Sequence, residues 1–253
     1  MLQLLEHLPR LRRHGLAALL LGLLFSPLSQ ADLPPGYKMV LLTENFPPFN
    51  MAENGKNFAR DANIQGISTD IVREMFKRAG IDYSLTLRFP WDRIYQQAMT
   101  KANHGLFSTS MSEARKPLFK WVGPIAQDQS VLVGRTGKHP IVDNLESAKA
   151  YRIGAYQSSA VSQHLQGLGF TTQNALRDQE NIRKLQRGQI DLWATSDPVW
   201  RAYASEQGVT DLEVVLSFNT SDMYLAINKD TPDEVVTRLQ AALEQMRTEG
   251  FGR

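Results

Sequence analysis

No cysteine occurs among the 253 residues, which excludes disulfides, thiolate catalysis and cysteine-held metal clusters. It also leaves a lipid-anchored form without an attachment point, so a lipoprotein is not expected. Long apolar runs are scarce. Gly15–Phe25 has eleven residues, against the roughly 20 that a membrane-spanning helix requires. Signature motifs are missing as well: there is no Gly-x-Ser-x-Gly, no glycine-rich loop ending in Gly-Lys-Ser/Thr, no Gly-x-Gly-x-x-Gly and no His-Glu-x-x-His. The common hydrolase, nucleotide, dinucleotide and zinc-protease sites therefore have no support. His104, His139 and His164 are scattered without metal-ligand spacing and read as structural or solvated. No cofactor and no metal are expected.

What is present begins with that eleven-residue run. Arg10, Arg12 and Arg13 precede it and Ser29-Gln30-Ala31 follows it, giving the positive region, apolar centre and small cleavage residues of an export signal. Residues 1–31 are expected to be removed, leaving a freely soluble periplasmic chain that starts near Asp32. The whole sequence has 28 basic and 26 acidic residues; taking away the three arginines and one glutamate of residues 1–31 leaves 25 of each. A neutral chain has no net pull toward nucleic acid or anionic lipid. The remaining length suits one large domain or two small ones, and a monomer is expected.

Along the chain, strand and helix patterns alternate. MVLLT at 39–43 is a short apolar run suited to a strand buried on both faces, and the turn-rich ENFPPFNMAENG follows it. Ile71, Val72, Met75, Phe76 and Ala79 then share a helical face, with Ser68 or Thr69 placed to cap its start and Gly80 to end it. Leu85, Leu87 and Phe89 alternate as a strand, Pro90 opens a second helix, and Leu106-Phe107 begins a third strand. The same grammar returns after Pro140: strand YRIGA, a helix from Ser159, a strand around Phe170, a helix with Ile182 and Leu185, and strand IDLWAT. A helix with Val199, Trp200 and Tyr203, a strand LEVVLSF, a strand MYLAIN and a helix opened by a Thr231-Pro-Asp-Glu234 capping box complete the chain. Two successive βαβ systems predict two α/β lobes with mostly parallel sheets.

The chemistry concentrates in FSTSMSEARKPLFKWVGP, where Ser108, Thr109, Ser110 and Ser112 precede Arg115. Such a cluster reads as a nucleophilic site, an anion cradle or a capped helix end. A nucleophile needs a base within hydrogen-bond reach, and the sequence specifies none. An anion cradle needs only the hydroxyls and a guanidinium, which grips a carboxylate through two charge-assisted bonds. The blandest reading makes Ser112 a cap and Arg115 a surface charge.

Five segments in order carry a resemblance. TENFPPFN resembles a strand-end motif with an aromatic two residues before Pro-Phe, and GISTDIVREMFKRAG resembles a Gly-Phe-x-x-Asp helix with Asp70 at the acidic position. SMSEARKPLFKWVGP resembles Thr-x-x-Arg followed by an aromatic and a proline, RIGAYQSSA resembles Val-Gly-Val-x-x-Gly-Thr, and LQRGQIDLWATSD resembles Leu-x-x-Gly-x-x-Asp-Ala. Together, over residues 37–250, the chain resembles the family 3 periplasmic solute-binding proteins of polar amino-acid uptake. The resemblance implies a two-lobed, type II periplasmic-binding-protein-like fold with a ligand cleft closing like a hinge. Lobe 1 would be 37–126 plus 222–253 and lobe 2 131–217, with crossings near 127–130 and 218–221. It implies that Arg115 binds a ligand carboxylate, that Ser108 and Ser110 contact its main-chain groups, and that Phe46 stacks over its side chain. Ser159 falls at a helix start, where free N–H groups favour a carboxylate independently.

The sequence departs from the family at the ammonium partner. Five positions after Asp191 stands Ser196, with Asp197 one later, and a one-residue slip on a strand turns the side chain to the opposite face. Either a bulge brings Asp197 to the cleft, or Asp197 caps the helix beginning at Pro198. Glu44, Trp91 and Trp121 are further candidates for the cleft wall, each with core packing or solvent as the plain alternative. The expected function is capture of a small carboxylate, such as an amino acid, for an ABC-type membrane permease, without catalysis. The competing readings are a sensing or interaction module that does not transport, and a periplasmic dehydratase acting on cyclic prephenate-like acids.

Overall fold

The computed structural model describes residues 32–251; the export signal expected over residues 1–31 lies outside the described residues. Met39, Leu41, Leu42 and Thr43 of β1 (Lys38–Thr43) are buried because the strand lies between β5 (Asp82–Arg88) and β6 (His104–Ser110), parallel to both. The turn-rich stretch after β1 forms a two-stranded ribbon of β2 (Met51–Ala52) and β4 (Ile64–Gln65), and β3 (Phe58–Arg60) pairs antiparallel with β5. Helices α1 (Ile67–Ala79) and α2 (Trp91–Thr100) make the crossovers. Gly80 ends α1 in the left-handed region, with φ 64°, as expected.

The start of α1 differs from expectation. Its N-cap is Gly66, and Ser68 and Thr69 are buried in the first turn. Gly66 has φ +129°, and a Cβ there would lie 2.4 Å from the Phe49 carbonyl oxygen. The amides of Ile67 and Ser68 donate to the Pro48 and Phe49 carbonyls at 3.1 and 2.9 Å. Close backbone approach, which only glycine permits, thus ties the loop after β1 to the helix.

The second half repeats the plan with β8 (Ile153–Tyr156), β9 (Thr172–Ala175) and β10 (Leu192–Asp197), flanked by α3 (Ala160–Gly167), α4 (Glu180–Gln186) and α5 (Val199–Glu206). The strand expected around Phe170 begins at Thr172, because Gly169 turns the chain with φ +81° and Phe170 goes into the core.

Two strands of 17 residues, β7 (Phe119–Arg135) and β11 (Leu212–Asn228), join the halves. They pair antiparallel from Leu212 opposite Arg135 to Asn228 opposite Phe119. β11 also pairs with β6 and β7 with β10, so the sheet order is β3-β5-β1-β6-β11-β7-β10-β8-β9. LEVVLSF and MYLAIN are therefore one strand. The polar NTSD between them stays in the ladder, Thr220 opposite Gln129 and Ser221 opposite Asp128, with register shifts absorbing the mismatch.

The last helix, α6 (Asp233–Thr248), returns to the first half, where Val235, Leu239, Leu243 and Met246 cluster with Val72, Met75 and Phe76. Its expected capping box does not form. Pro232 is the N-cap, the Thr231 hydroxyl is buried without a hydrogen-bond partner, and Glu234 pairs with Arg238 one turn on. The α1 and α6 side and the α2 side of the first half hold separate apolar clusters, as does the α3 side of the second, while the cluster on the α4 and α5 side also takes in Phe49 and Met223. Each half is thus a mostly parallel sheet flanked by helices, the two-lobed α/β architecture that the alternating patterns predict.

Candidate functional site

In α/β sheets ligand sites form beyond the carboxyl ends of strands. Here the ends of β1, β6, β8 and β10 converge on one cavity of about 60 Å³, to which they bring Glu44 and Phe46, Ser108 and Ser110, Tyr156 and Ser159, and Ser196, respectively. Its wall therefore comes from both halves.

Ser108 sits in the left-handed region with φ 57°, a conformation that costs a non-glycine residue about 1 kcal/mol or more. Its hydroxyl donates to Asn50 Oδ1, in the loop that the Gly66 turn holds. The turn that follows places Arg115. Ser112 accepts the Arg115 amide at its carbonyl (3.0 Å) and at its hydroxyl (3.3 Å), so it does cap the turn.

Arg115 is not a surface charge: it is 3% exposed. Its Nε donates to Gln163 Oε1 (3.1 Å), Nη1 to the Ser110 carbonyl (3.5 Å) and Nη2 to the Ser158 carbonyl (3.3 Å). The guanidinium carbon lies 5.7 Å from the Trp91 ring centre and 5.3 Å from that of Tyr95. Every one of these partners is neutral, and among the described residues no carboxylate forms an ion pair with Arg115. Burial consequently lowers its proton affinity, opposed by Tyr95 and Asp92. Beside it, Ser159 caps α3 by accepting the Ser162 amide at 3.1 Å, and Ala160 and Val161 of the first turn line the cavity. Helix N-termini and guanidinium groups both favour anions.

The remaining wall is acidic. Glu44 Oε2 accepts from the Tyr156 hydroxyl (2.8 Å), which in turn accepts from the Trp91 amide (3.1 Å). Burial pushes the Glu44 carboxyl up to about 8, although the bond from Tyr156 opposes the shift. Asp128, on β7, is 3% exposed and also lines the cavity. Its Oδ2 accepts from the Ser196 hydroxyl (2.8 Å), and burial raises its carboxyl to about 6 against that bond and the Gln129 amide. Its Oδ1 is buried, and no donor, the Gln129 amide included, reaches it in hydrogen-bond geometry.

Of the residues expected at the cleft, Glu44, Phe46, Trp91, Ser108, Ser110, Arg115, Ser159 and Ser196 line this cavity. Two are placed elsewhere. Trp121 donates from Nε1 to the Lys116 carbonyl (3.0 Å) and packs edge-on against Phe119 and Tyr224. Asp197 pairs with Arg201, both oxygens at 2.9 Å. No bulge interrupts β10 against β7: Ser196 stands opposite Ser130 and Asp197 opposite Gln129, so the alternation of a strand turns Asp197 away. Nor does its side chain cap α5, whose N-cap is Pro198. Sequence reasoning did not single out Asp128, Asn50 or Tyr156. The signal for Asp128 was a lone acid in QDQS, between the apolar stretches of one strand.

The strand order and the shared cavity define a two-lobed α/β binding fold. The chain belongs to the bacterial extracellular solute-binding proteins, family 3, matching that family over residues 39–251. Solved structures agree on the fold. An ancestral arginine-binding protein bound to arginine is 22% identical, with a TM-score of 0.71 over 85% of this chain and 94% of that one. The arginine-, lysine-, histidine-binding protein ArtJ from Geobacillus stearothermophilus is 21% identical, with a TM-score of 0.71 over 84% and 90%. A histidine kinase sensor domain with similarity to periplasmic binding proteins is 17% identical, with a TM-score of 0.74 over 84% and 91%. Comparison with curated protein sequences gives no match. Membership in an extracellular family implies a periplasmic or extracellular location.

Proposed function

We propose that the protein captures a small carboxylate-bearing solute of amino-acid type in this cavity and presents it, closed, to an ABC-type permease. The observation that carries the reading is Arg115, a buried guanidinium held by neutral acceptors beside the start of α3. A solute carboxylate there would gain charge-assisted bonds, each worth about 1.5–3 kcal/mol. Ser108 and Ser110 would meet its main-chain groups and Phe46 its side chain. We assign lobe 1 to 37–126 plus 222–253 and lobe 2 to 131–217, with the chain crossing at 127–130 and 218–221. Two apolar clusters support that division, the buried members of that of α1 and α6 lying wholly in lobe 1 and the buried members of that of α3 wholly in lobe 2, whereas the cluster of α4 and α5 reaches across to Phe49 and Met223. Closure is the step in which contacts from both lobes favour one state and no bond breaks.

Thermal-shift screening of the protein against amino acids, dicarboxylates and polyamines tests this. A solute at 100 times its Kd stabilises by about 2.7 kcal/mol, and the shift is expected to vanish in Arg115→Ala. Equal stabilisation of both proteins, or a response to polyamines alone, refutes the carboxylate role. The likeness to a kinase sensor domain favours a second reading, in which the same capture serves sensing. Loss of uptake on deletion of the gene separates transport from sensing.

A further inference from the structure

The cavity holds one buried cationic group, Arg115, and, on the strand pair that joins the lobes, a buried acid whose hydrogen bonding is incomplete. Asp128 is 3% exposed, its Oδ2 takes the Ser196 hydroxyl at 2.8 Å, and its Oδ1 has no partner. A buried carboxylate oxygen without a donor is costly, so the arrangement is explained best by a ligand that supplies one. Asp197 cannot be that acceptor: it lies on the opposite face of β10 with both oxygens on Arg201. Ser196 instead directs its hydroxyl to Asp128 across the β10–β7 pair, in the diagonal relation that brings side chains of one sheet face together.

We propose that Asp128 is the ammonium acceptor of this cavity and that the captured solute is therefore an α-amino acid, recognised at its carboxylate by Arg115 and at its amino group by Asp128. Ser196 on β10 thus positions an acid from the neighbouring strand. The proposal rests on the carboxylate reading of Arg115. A zwitterion complements the two opposite charges that line one cavity, whereas a plain carboxylate leaves Asp128 Oδ1 without a donor.

Calorimetric titration of the protein with L-alanine and L-lactate, L-phenylalanine and L-phenyllactate, and the other primary L-amino acids with their 2-hydroxy counterparts, tests it. Each pair keeps the carboxylate and exchanges an ammonium for a neutral donor. The wild type is expected to prefer the amino acid of a responding pair. In Asp128→Asn its affinity is expected to fall about 30-fold or more, the low end for breaking a buried charge pair. The 2-hydroxy acid is expected to bind Asp128→Asn as it binds the wild type, and Arg115→Ala to bind neither. Asp128→Ser carries the same expectation should the asparagine variant fail to fold. Unchanged amino-acid affinity in the Asp128 variants, or a loss confined to Asp197→Asn, overturns the assignment. Equal binding of both members of a pair by the wild type overturns the ammonium site and leaves the Arg115 reading standing. Silence from every pair overturns both.

Discussion

Asp128→Asn is expected to stabilise the solute-free protein, and the size of the effect follows from burial. The carboxyl is raised from 3.8 to about 6, chiefly because the folded chain removes it from water. At 1.36 kcal/mol per pH unit, holding it ionised costs the folded state about 3 kcal/mol. The sign is that of a raised acid. Below pH 3.8 both states are protonated and the cost is absent; it grows as pH rises from 3.8 to about 6 and stays constant above. That cost is already net of the bond from the Ser196 hydroxyl, for which asparagine keeps an acceptor. The variant should therefore exceed the wild type by about 3 kcal/mol at pH 8 and by nothing near pH 4. Urea unfolding of both proteins without solute, at intervals from pH 4 to 8, measures this. A variant less stable than the wild type at pH 8, or a difference independent of pH, refutes the picture of a desolvated, ionised acid. A gain in stability joined to a loss of amino-acid binding is the trade expected where a strained site serves function.

Glu44→Gln should flatten the upper part of the same pH dependence. The Glu44 carboxyl is raised from 4.5 to about 8, so wild-type stability falls as pH rises through that window, and the limb from pH 6 to 8, above the range of Asp128 and of Asp178, a second acid that burial raises to about 6, should disappear in the variant's unfolding curves. Gly66→Ala should destabilise by about 2–4 kcal/mol in urea unfolding, since the added Cβ meets backbone at 2.4 Å and the φ is closed to alanine; a loss below 1 kcal/mol refutes the close approach. Ser158, which precedes the α3 cap, has φ 58°, so Ser158→Gly should stabilise by about 0.5–1 kcal/mol, and a decrease refutes the left-handed assignment.

The parts of the site legible in the sequence were those set by neighbours along the chain. Ser159 caps α3 because the cap bond is local, and the Ser112 turn that carries Arg115 is equally local. Gly80 and the apolar faces of α1 and α6 follow from periodicity alone. Asp128 was not legible, because its place depends on pairing between β7 and β10, some 68 residues apart along the chain, and register is not written in either strand alone. NTSD misled for a related reason: its polar side chains suit a turn, yet its backbone is claimed by a long-range ladder. At Thr231 the local rule itself gave way. Its backbone is engaged by Asn228 and Lys120, and the helix starts after Pro232.

The ladder between β7 and β11 has a mechanical consequence. Two strands bonded to one another along their middles act as one torsion bar, stiff to sliding and compliant to twist. Any turning of one lobe against the other works through that bar, and the points nearest its axis travel least. In such a turn Asp128, opposite Ser221 on the bar, would belong to the axle, whereas Arg115 and Ser159 would ride on the jaws. The amino group would be met by the part of the protein that stays still, and the carboxylate by the parts that swing.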